Sequence, residues 1–487
     1  MKASIMDMRG FAPLRALALV SVMMVAGCDF LDPTNVENPA TTTEDLAAAE
    51  NPTASLLPGL RAQFATAINP VIPEVVSDNY SIHGTGINKT NDFPAQITSD
   101  LIGGLYTSVQ ELRALAEFVL NEIAPNDSTA SDEHVQEARY YLGMAFLLLG
   151  ERFVAVPVVV DGTPEPSATL IQLAITELGT ALNVASGTEF ELPIRAALAR
   201  AHRLAGNAID AETQADAVLA SSAAFLYGRD YDPATITNGP FNFLVLRSLK
   251  EMQPLPRLDF LDPKFTSREA PIMIAKAEEM LLIKAEVEFS RGNYGGGREF
   301  LAQAVETAQA RPRVNFSDDD ARLNEDLSER PHDASIQIRA DPASAYRSGL
   351  VLSRPGTVNT PTVTWTSLDA DSIRSLDATT QTDDILHAFY LSRQEMLFLE
   401  GRRMTDLGIR LPMNLNEIET NDNISEGDLG TVVVVPAYLP DQDAMDLFTP
   451  ASPYDEDGVL TTTQVTINID VNRILVQQRV SPFGVLP

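Results

Sequence analysis

Arg393 and Glu400 are the charged residues whose types and spacing most suggest chemistry. Both fall within a helical pattern, 385–408, whose apolar stripe includes Phe389 and Met404. Residues seven positions apart lie about 20° apart around a helix, so both charges are expected on the buried stripe, where a charge is costly unless it is paired. A carboxyl group oriented by an arginine could act as a general acid, but nothing nearby supplies a second catalytic group. We therefore predict a structural ion pair between Arg393 and Glu400.

Sequence motifs for metal, nucleotide or nucleophile chemistry are absent from the chain. It contains no HExxH, GxSxG or GxxxxGK[ST] motif, and its five histidines are far apart in sequence. Asn421-Asp422-Asn423 is similar to the start of a calcium loop, but Glu426 stands where that loop requires glycine. We predict no catalytic residue, no metal site and no cofactor, with an incidental Ca²⁺ ion in the acidic loops as the alternative.

Cys28 is the only cysteine, and it follows a pattern that is typical of secretory leaders. A basic segment precedes an apolar run, 16–26, which is shorter than the roughly 20 residues of a membrane-spanning helix. The residues at 25–28 are similar to the lipobox, where bacterial lipoproteins are lipidated on sulfur and cleaved before the cysteine. We predict a lipoprotein signal peptide at 1–27 and a lipidated tether at 28–55, which anchors the protein without spanning the membrane.

The composition is that of an acidic globular protein. Asp and Glu number 67 against 35 Lys and Arg, so the formal net charge of the 487 residues is −32. Such a surface repels phosphate backbones, which argues against a nucleic-acid partner. Hydrophobic residues make up 45% of the chain, enough for a sizeable core. The acidity fits a high-salt habitat, where salt screens self-repulsion, and an acidic mesophilic protein equally well.

Helical periodicity dominates between about 105 and 310. Gly150, Gly206 and Gly292 are each predicted to end a helix, and each has a small residue seven positions earlier. In the last two segments another small residue, Ala211 or Gly297, follows that one by twelve positions. A small residue lets a neighbouring helix approach closely, and glycine permits the left-handed turn that ends a helix. These features are similar to tetratricopeptide helical hairpins, separated here by insertions. The helical segments are 105–123, 137–153, 195–219 and 277–308.

The rest of the chain is less regular. Residues 312–380 are polar and partly β-like, which predicts a loop-rich insertion with a few short strands. The charged helix at 385–408 follows, and acidic loops occupy the C-terminal part. We predict a mostly α-helical single domain at 56–487, with hairpins at about 105–310 and large irregular loop insertions.

The order of these features resembles the SusD/RagB family of outer-membrane nutrient-binding lipoproteins. The segment 137–157 is similar to the family's long helix followed by a glycine and a Val-Pro pair, and 291–293 matches part of a later hairpin. Leu399-Glu400-Gly401, with Arg403 and Asp406, resembles the family's C-terminal signature. The acids that usually precede this signature are replaced here, which indicates a divergent member.

The resemblance implies both a fold and a function. Members of this family are mostly α-helical, their hairpins contact a TonB-dependent transporter barrel, and their loop-rich side binds oligosaccharide or peptide without bond chemistry. We therefore expect an outer-membrane lipoprotein, facing the cell surface, that delivers such a nutrient to a SusC-like transporter and is not an enzyme. Two alternatives stay open: a lipid-anchored tetratricopeptide scaffold without a small ligand, and an anchored hydrolase.

Aromatic and amide side chains in the irregular segments are the candidates for holding a sugar. Sugar rings stack on aromatic faces, and amide and acid side chains bond their hydroxyl groups. A large amphipathic ring in a polar loop is easily left partly exposed, and the only tryptophan lies in such a segment. The predicted ligand contacts are Asn79, Tyr80, Tyr227, Tyr231 and Trp365.

Overall fold

Helices are the main secondary structure of the part of the chain that the structure describes. The computed structural model describes residues 50–82, 100–232, 234–236, 238–242, 252–265, 267–317, 330–441 and 444–487. The predicted signal peptide, Cys28 and most of the predicted tether lie outside these residues.

The helices before residue 310 pack in sequential pairs. Helix α4 packs along α5, α6 along α7 and α8 along α9, and α5 also contacts α6. The predicted fold class, mostly α-helical with tetratricopeptide-like hairpins, is confirmed. The described helices of this part are α1 (Pro52–Ala67), α2 (Val71–Val76), α3 (Asp100–Phe118), α4 (Asp132–Arg152), α5 (Ser167–Val184), α6 (Glu191–Leu204), α7 (Ala208–Ser221), α8 (Ala277–Ser290) and α9 (Tyr294–Gln309).

The first helix begins earlier than the predicted domain boundary. Pro52 is the first residue of α1, a position that proline favours because the first N–H groups of a helix have no partner within it. Leu57, Leu60 and Phe64 of α1 are buried in the core. The end of the predicted tether, 28–55, is therefore part of the helical domain.

Two of the three predicted glycine turns are present. Gly206 and Gly292 adopt φ values of 76° and 75° just after α6 and α8, in the left-handed region that glycine enters without strain. Gly150 does not end a helix, because α4 continues to Arg152. A Cβ atom on Gly150 would lie 2.8 Å from Cγ1 of Ile171, so this glycine serves the close approach of α5.

The α8–α9 hairpin depends on a second close approach. A Cβ atom on Gly297 of α9 would lie 2.3 Å from Cε1 of Phe289 and 2.9 Å from the carbonyl oxygen of Ala285. Both neighbours are fully buried on α8. The small residue that the sequence pattern singled out is thus required by the distance between the two helices.

We expect Gly297→Val to lower the free energy of unfolding by about 1–3 kcal/mol, because the added atoms overpack the hairpin. Gly295→Ala is the matched control, since its Cβ atom would meet no atom nearer than 3.8 Å. That control should stabilise the protein by up to about 1 kcal/mol, because alanine is a better helix former than glycine. Urea denaturation measures both changes, and equal midpoints for the two variants would contradict the packing argument.

Short strands connect and extend the helical region. They pair as β1 with β5, β2 with β3, β4 with β6 and β7 with β9, all antiparallel, while β11 lies between β10 and β8. The predicted β-like insertion at 312–380 contains three of them within its described part. The strands are β1 (Tyr80–Ile82), β2 (Ala155–Val156), β3 (Glu165–Pro166), β4 (Leu226–Arg229), β5 (Met252–Pro254), β6 (Ile272–Lys276), β7 (Arg313–Ser317), β8 (Gln337–Arg339), β9 (Thr357–Pro361), β10 (Phe448–Thr449) and β11 (Gln464–Ile467).

The predicted charged helix, 385–408, is two helices separated by a turn. Leu399 and Gly401 in that turn have φ values of 57° and 72°, outside the range of a right-handed helix. No described helix is both long enough and apolar enough to span a bilayer. The described C-terminal helices are α10 (Ala370–Ser375), α11 (Thr382–Met396), α12 (Arg403–Asp406), α13 (Leu415–Thr420) and α14 (Val471–Gln478).

Candidate functional site

An open cleft of about 460 Å³ lies between α3, the 157–161 loop and α13. This volume is within the range of about 300–1,000 Å³ that is usual for small-molecule sites. Two valines of the loop are strongly exposed at its edge, Val159 at 63% and Val160 at 91%. The polar residues that line the cleft include Thr107, Gln110, Glu111, Asn414, Asn416 and Glu417.

A chain of hydrogen bonds joins two walls of the cleft. The hydroxyl group of Tyr106 donates to Oε2 of Glu417 at 3.1 Å, and Nε2 of Gln110 donates to the Tyr106 oxygen at 3.2 Å. Gln110 also donates to the carbonyl oxygen of Pro157 at 2.9 Å. Burial raises the pKa of Tyr106, so its phenol stays protonated and donates to Glu417. These bonds fix the carboxylate and the amide before any ligand arrives.

Asparagine side chains hold the 157–161 loop against the segment that contains α13. Nδ2 of Asn421 donates to the carbonyl oxygen of Gly162 at 2.9 Å, and Nδ2 of Asn423 donates to that of Asp161 at 2.6 Å. Asn414 caps α13 by accepting a hydrogen bond from the N–H of Asn416 at 3.0 Å. Hydrogen bonds therefore hold the three walls of the cleft, which are α3, the 157–161 loop and the segment that contains α13, against one another.

The cleft offers donors and acceptors to a polar ligand. Carboxylates only accept hydrogen bonds, whereas amide side chains both donate and accept, and both kinds line the cleft. Sequence patterns did not predict this arrangement, because Tyr106 and Glu417 are 311 positions apart. Only the asparagine cap at 414 could have been recognised, as the start of a helix.

Comparison with known proteins gives matches among solved structures alone, since no protein-family model and no curated protein matches the chain. A SusD superfamily protein from Bacteroides thetaiotaomicron VPI-5482 aligns with a TM-score of 0.49 at 11% identity, over 76% of this chain and 91% of that one. A laminarin-binding SusD-like protein gives 0.48 at 9% identity, over 79% and 95%. A SusD superfamily protein from Parabacteroides distasonis ATCC 8503 gives 0.51 at 10% identity, over 77% and 98%. This chain has the SusD fold. The resemblance predicted from the sequence is therefore confirmed at the level of the fold.

Within this SusD fold the predicted pair of Arg393 and Glu400 is replaced by two other pairs. Glu400 lies 2.6 Å from Nζ of Lys276, and Arg393 binds Asp406 with its Nε at 2.8 Å from Oδ2. The prediction was wrong because α11 ends at Met396. A continuous helix would have placed Arg393 and Glu400 on the same face, but the turn after Met396 removes this alignment. Both charges are nevertheless buried and paired, as the cost of an isolated buried charge requires.

Three of the five predicted ligand contacts are buried in the SusD core. Asn79, Tyr80 and Tyr231 are at most 5% exposed. Nδ2 of Asn79 donates to Glu74, and Tyr231 donates to the carbonyl oxygen of Ala65. Tyr80 stacks on a phenylalanine ring of the core. The structure contradicts their assignment as ligand contacts, because these three side chains pack in the interior of the protein although they stand in polar segments of the sequence.

Tyr227 and Trp365 are half-buried and have different neighbours. The ring of Tyr227, on β4, meets that of Tyr140 edge-on at 6.1 Å, and burial raises its pKa to about 12. Trp365 packs edge-on against Phe260 at 5.4 Å, and the guanidinium carbon of Arg313 lies 5.2 Å from its ring. Neither lines the cleft. A role for them in ligand binding stays a prediction.

The described residues contain no group of three or more His, Cys, Asp or Glu side chains arranged to hold a metal ion. In the segment that is similar to a calcium loop, Asn421 and Asn423 use their side-chain nitrogens to bind the carbonyl oxygens of Gly162 and Asp161. These asparagines serve the wall of the cleft. The alternative of an incidental Ca²⁺ ion stays untested.

Proposed function

We propose that this protein is an outer-membrane lipoprotein, anchored through Cys28, that binds an oligosaccharide and delivers it to a SusC-like TonB-dependent transporter. The observation that carries the binding role is the open cleft between α3 and α13, whose amide and carboxylate groups are held in place before a ligand binds. The SusD fold supports the class of function, and the leader that ends at Cys28 supports the anchor and the location.

An oligosaccharide fits the cleft better than an apolar peptide. Each sugar hydroxyl both donates and accepts a hydrogen bond, and Glu417 accepts while the exposed amide of Asn416 does both. Tyr106, the only tyrosine among the described residues that line the cleft, is 4% exposed, so it positions Glu417 rather than stacking on a ring. Hydrogen bonding is therefore the proposed mode of recognition. A peptide ligand and a ligand-free scaffold are outcomes that the test distinguishes.

The test is a glycan screen followed by calorimetric titration of the best oligosaccharide. We expect Glu417→Gln combined with Asn416→Ala to weaken binding at least tenfold, about 1.4 kcal/mol, because both the fixed acceptor and an exposed amide of the cleft are lost. Glu419→Gln is the matched control, since this exposed glutamate is on the same helix and does not line the cleft. Its affinity should equal that of the wild type.

Three results would redirect the proposal. An oligosaccharide that binds all three proteins equally, while changing the fluorescence of Trp365, would move the site from the cleft to the β-like insertion. Absence of binding to any glycan, with binding to peptides, would assign the peptide class. A protein that binds neither would be the lipid-anchored tetratricopeptide scaffold.

A further inference from the structure

A second cavity has a volume of about 220 Å³, and the charged residues that line it within the described ranges are three arginines and one acid. It lies where the end of α6, the middle of α11, the segment after α12 and the chain after α14 meet. It shares no lining residue with the cleft. Its charged residues are Arg203, Arg393, Asp406 and Arg410.

Two of the arginines are neutralised by buried carboxylates. Arg393 binds Asp406 with both Nε and Nη2, at 2.8 and 2.9 Å, and Arg203 Nη1 lies 3.2 Å from the same carboxylate. Arg203 also pairs with Glu286 through its Nε at 2.5 Å. Burial alone would raise the pKa of Asp406, but Arg393 and Arg203 hold it below its usual value. Asp406 therefore stays ionised and is shared by two cations.

Arg410 is the third arginine of the cavity, and it differs from the other two in its partners. Its side chain makes one long hydrogen bond, from Nη1 to the carbonyl oxygen of Ile409 at 3.4 Å, and among the described residues no carboxylate forms an ion pair with it. Burial lowers its pKa, against the raising effect of Glu151, which is itself paired with Arg200. Arginine keeps its proton in proteins. The cavity thus holds one more positive charge than its carboxylates compensate.

This excess is notable in a chain with a formal net charge of −32. A partly buried charge without a partner is costly, and a guanidinium group binds carboxylate and phosphate oxygens in a two-pronged geometry. The hydroxyl groups of Thr405 and Ser481 also line the cavity. A volume of about 220 Å³ is smaller than usual drug-sized sites but larger than a single ion needs.

We propose that this cavity is a second ligand site, which binds the oxyanion of a small molecule through Arg410. The ligand is a phosphate, a sulfate or a carboxylate, which is either a free anion or a substituent of a small molecule such as a single sugar ring. The site goes beyond the proposed function, because it uses different residues and a different chemistry from the cleft.

The experiment is calorimetric titration of the full chain with inorganic phosphate, sulfate, acetate and glucuronate, each at the same ionic strength in NaCl. We expect at least one of them to bind the wild type, and we expect Arg410→Gln to weaken that binding at least tenfold. Arg410→Lys, which keeps the charge and loses the two-pronged geometry, should bind with intermediate affinity. Arg473→Gln is the control, since Arg473 is an exposed arginine of α14 outside the cavity.

The pattern of responses identifies the ligand class. Binding of phosphate or sulfate alone indicates a phosphorylated or sulfated ligand, and binding of glucuronate but not acetate indicates an acidic sugar. Circular dichroism checks that Arg410→Gln is folded, and the width of the ³¹P signal of phosphate gives an independent measure of binding to the wild type. The proposal is overturned if none of the four anions binds the wild type, or if Arg410→Gln binds as tightly as Arg473→Gln.

Discussion

Glu400→Ala is expected to lower the free energy of unfolding by about 3–5 kcal/mol, because it leaves the ammonium group of Lys276 buried without its carboxylate. The side chains of Glu400 and Lys276 are 1% and 0% exposed and lie 2.6 Å apart. Urea denaturation followed by circular dichroism measures the loss. Glu177→Ala is the control, since Glu177 pairs with Arg139 at 2.7 Å but is 24% exposed, and exposed pairs contribute about 1 kcal/mol or less.

The double variant Lys276→Met with Glu400→Leu should be more stable than Glu400→Ala. Removing both charges leaves no ion without a partner, and apolar side chains of similar size can replace a buried pair at little cost. Thr364 still donates from Oγ1 to the carbonyl oxygen of Met396 at 2.5 Å, so the end of α11 keeps a hydrogen bond. A double variant that unfolds more easily than Glu400→Ala would show that the pair itself stabilises the fold.

Asp259→Ala is expected to cost about 3–5 kcal/mol as well, because one carboxylate there serves two buried guanidinium groups. Oδ1 of Asp259 lies 2.5 Å from Nη2 of Arg330, and Oδ2 lies 2.5 Å from Nη1 of Arg354, with all three side chains 2% exposed. Asp262 stays near Arg330, at 2.8 Å, so the loss is partial. Asp216→Ala, which removes a half-exposed partner of Lys284, should change urea denaturation little.

The effect of Asp259→Ala should depend on pH. Burial alone would raise the pKa of Asp259, but Arg354 and Arg330 hold it below the ordinary value of 3.8. A carboxyl group whose pKa is lower in the folded state stabilises the fold above its unfolded pKa and loses that contribution as pH falls. The stability difference between wild type and Asp259→Ala should therefore be full at pH 6 and shrink below about pH 4. A difference that grows on acidification would contradict this assignment.

The helical hairpins could be predicted from the sequence because their signals are local. Gly206 and Gly292 were recognisable as helix ends because each is a glycine at the end of a helical pattern, and both adopt the left-handed conformation. The small residue at 297 was recognisable by its spacing, and it meets the facing helix as expected. Short-range geometry decides such features, so neighbours in the sequence carry the information.

The positions of polar residues could not be predicted in the same way. Asn79 and Tyr80 stand in a polar segment, yet both are buried, because Gln394 donates to Asn79 and the ring of Phe398 stacks on Tyr80 from a distant part of the chain. The apolar periodicity predicted one continuous helix, but the turn at Leu399 interrupts it. As a result Glu400 pairs with Lys276, which is 124 positions away. The cleft likewise depends on contacts across hundreds of residues. Patterns within one sequence do not indicate which distant residues will contact each other.

The buried ion pairs have a consequence for the response of this protein to heat. The hydration of charged groups becomes less favourable as temperature rises, so the cost of keeping ions away from water falls, while hydrophobic stabilisation levels off. Pairs such as Lys276 with Glu400 and Arg330 with Asp259 should therefore contribute more at 60 °C than at 25 °C. A core built partly from such pairs should keep its stability over a wider range of warm temperatures than an apolar core of the same size.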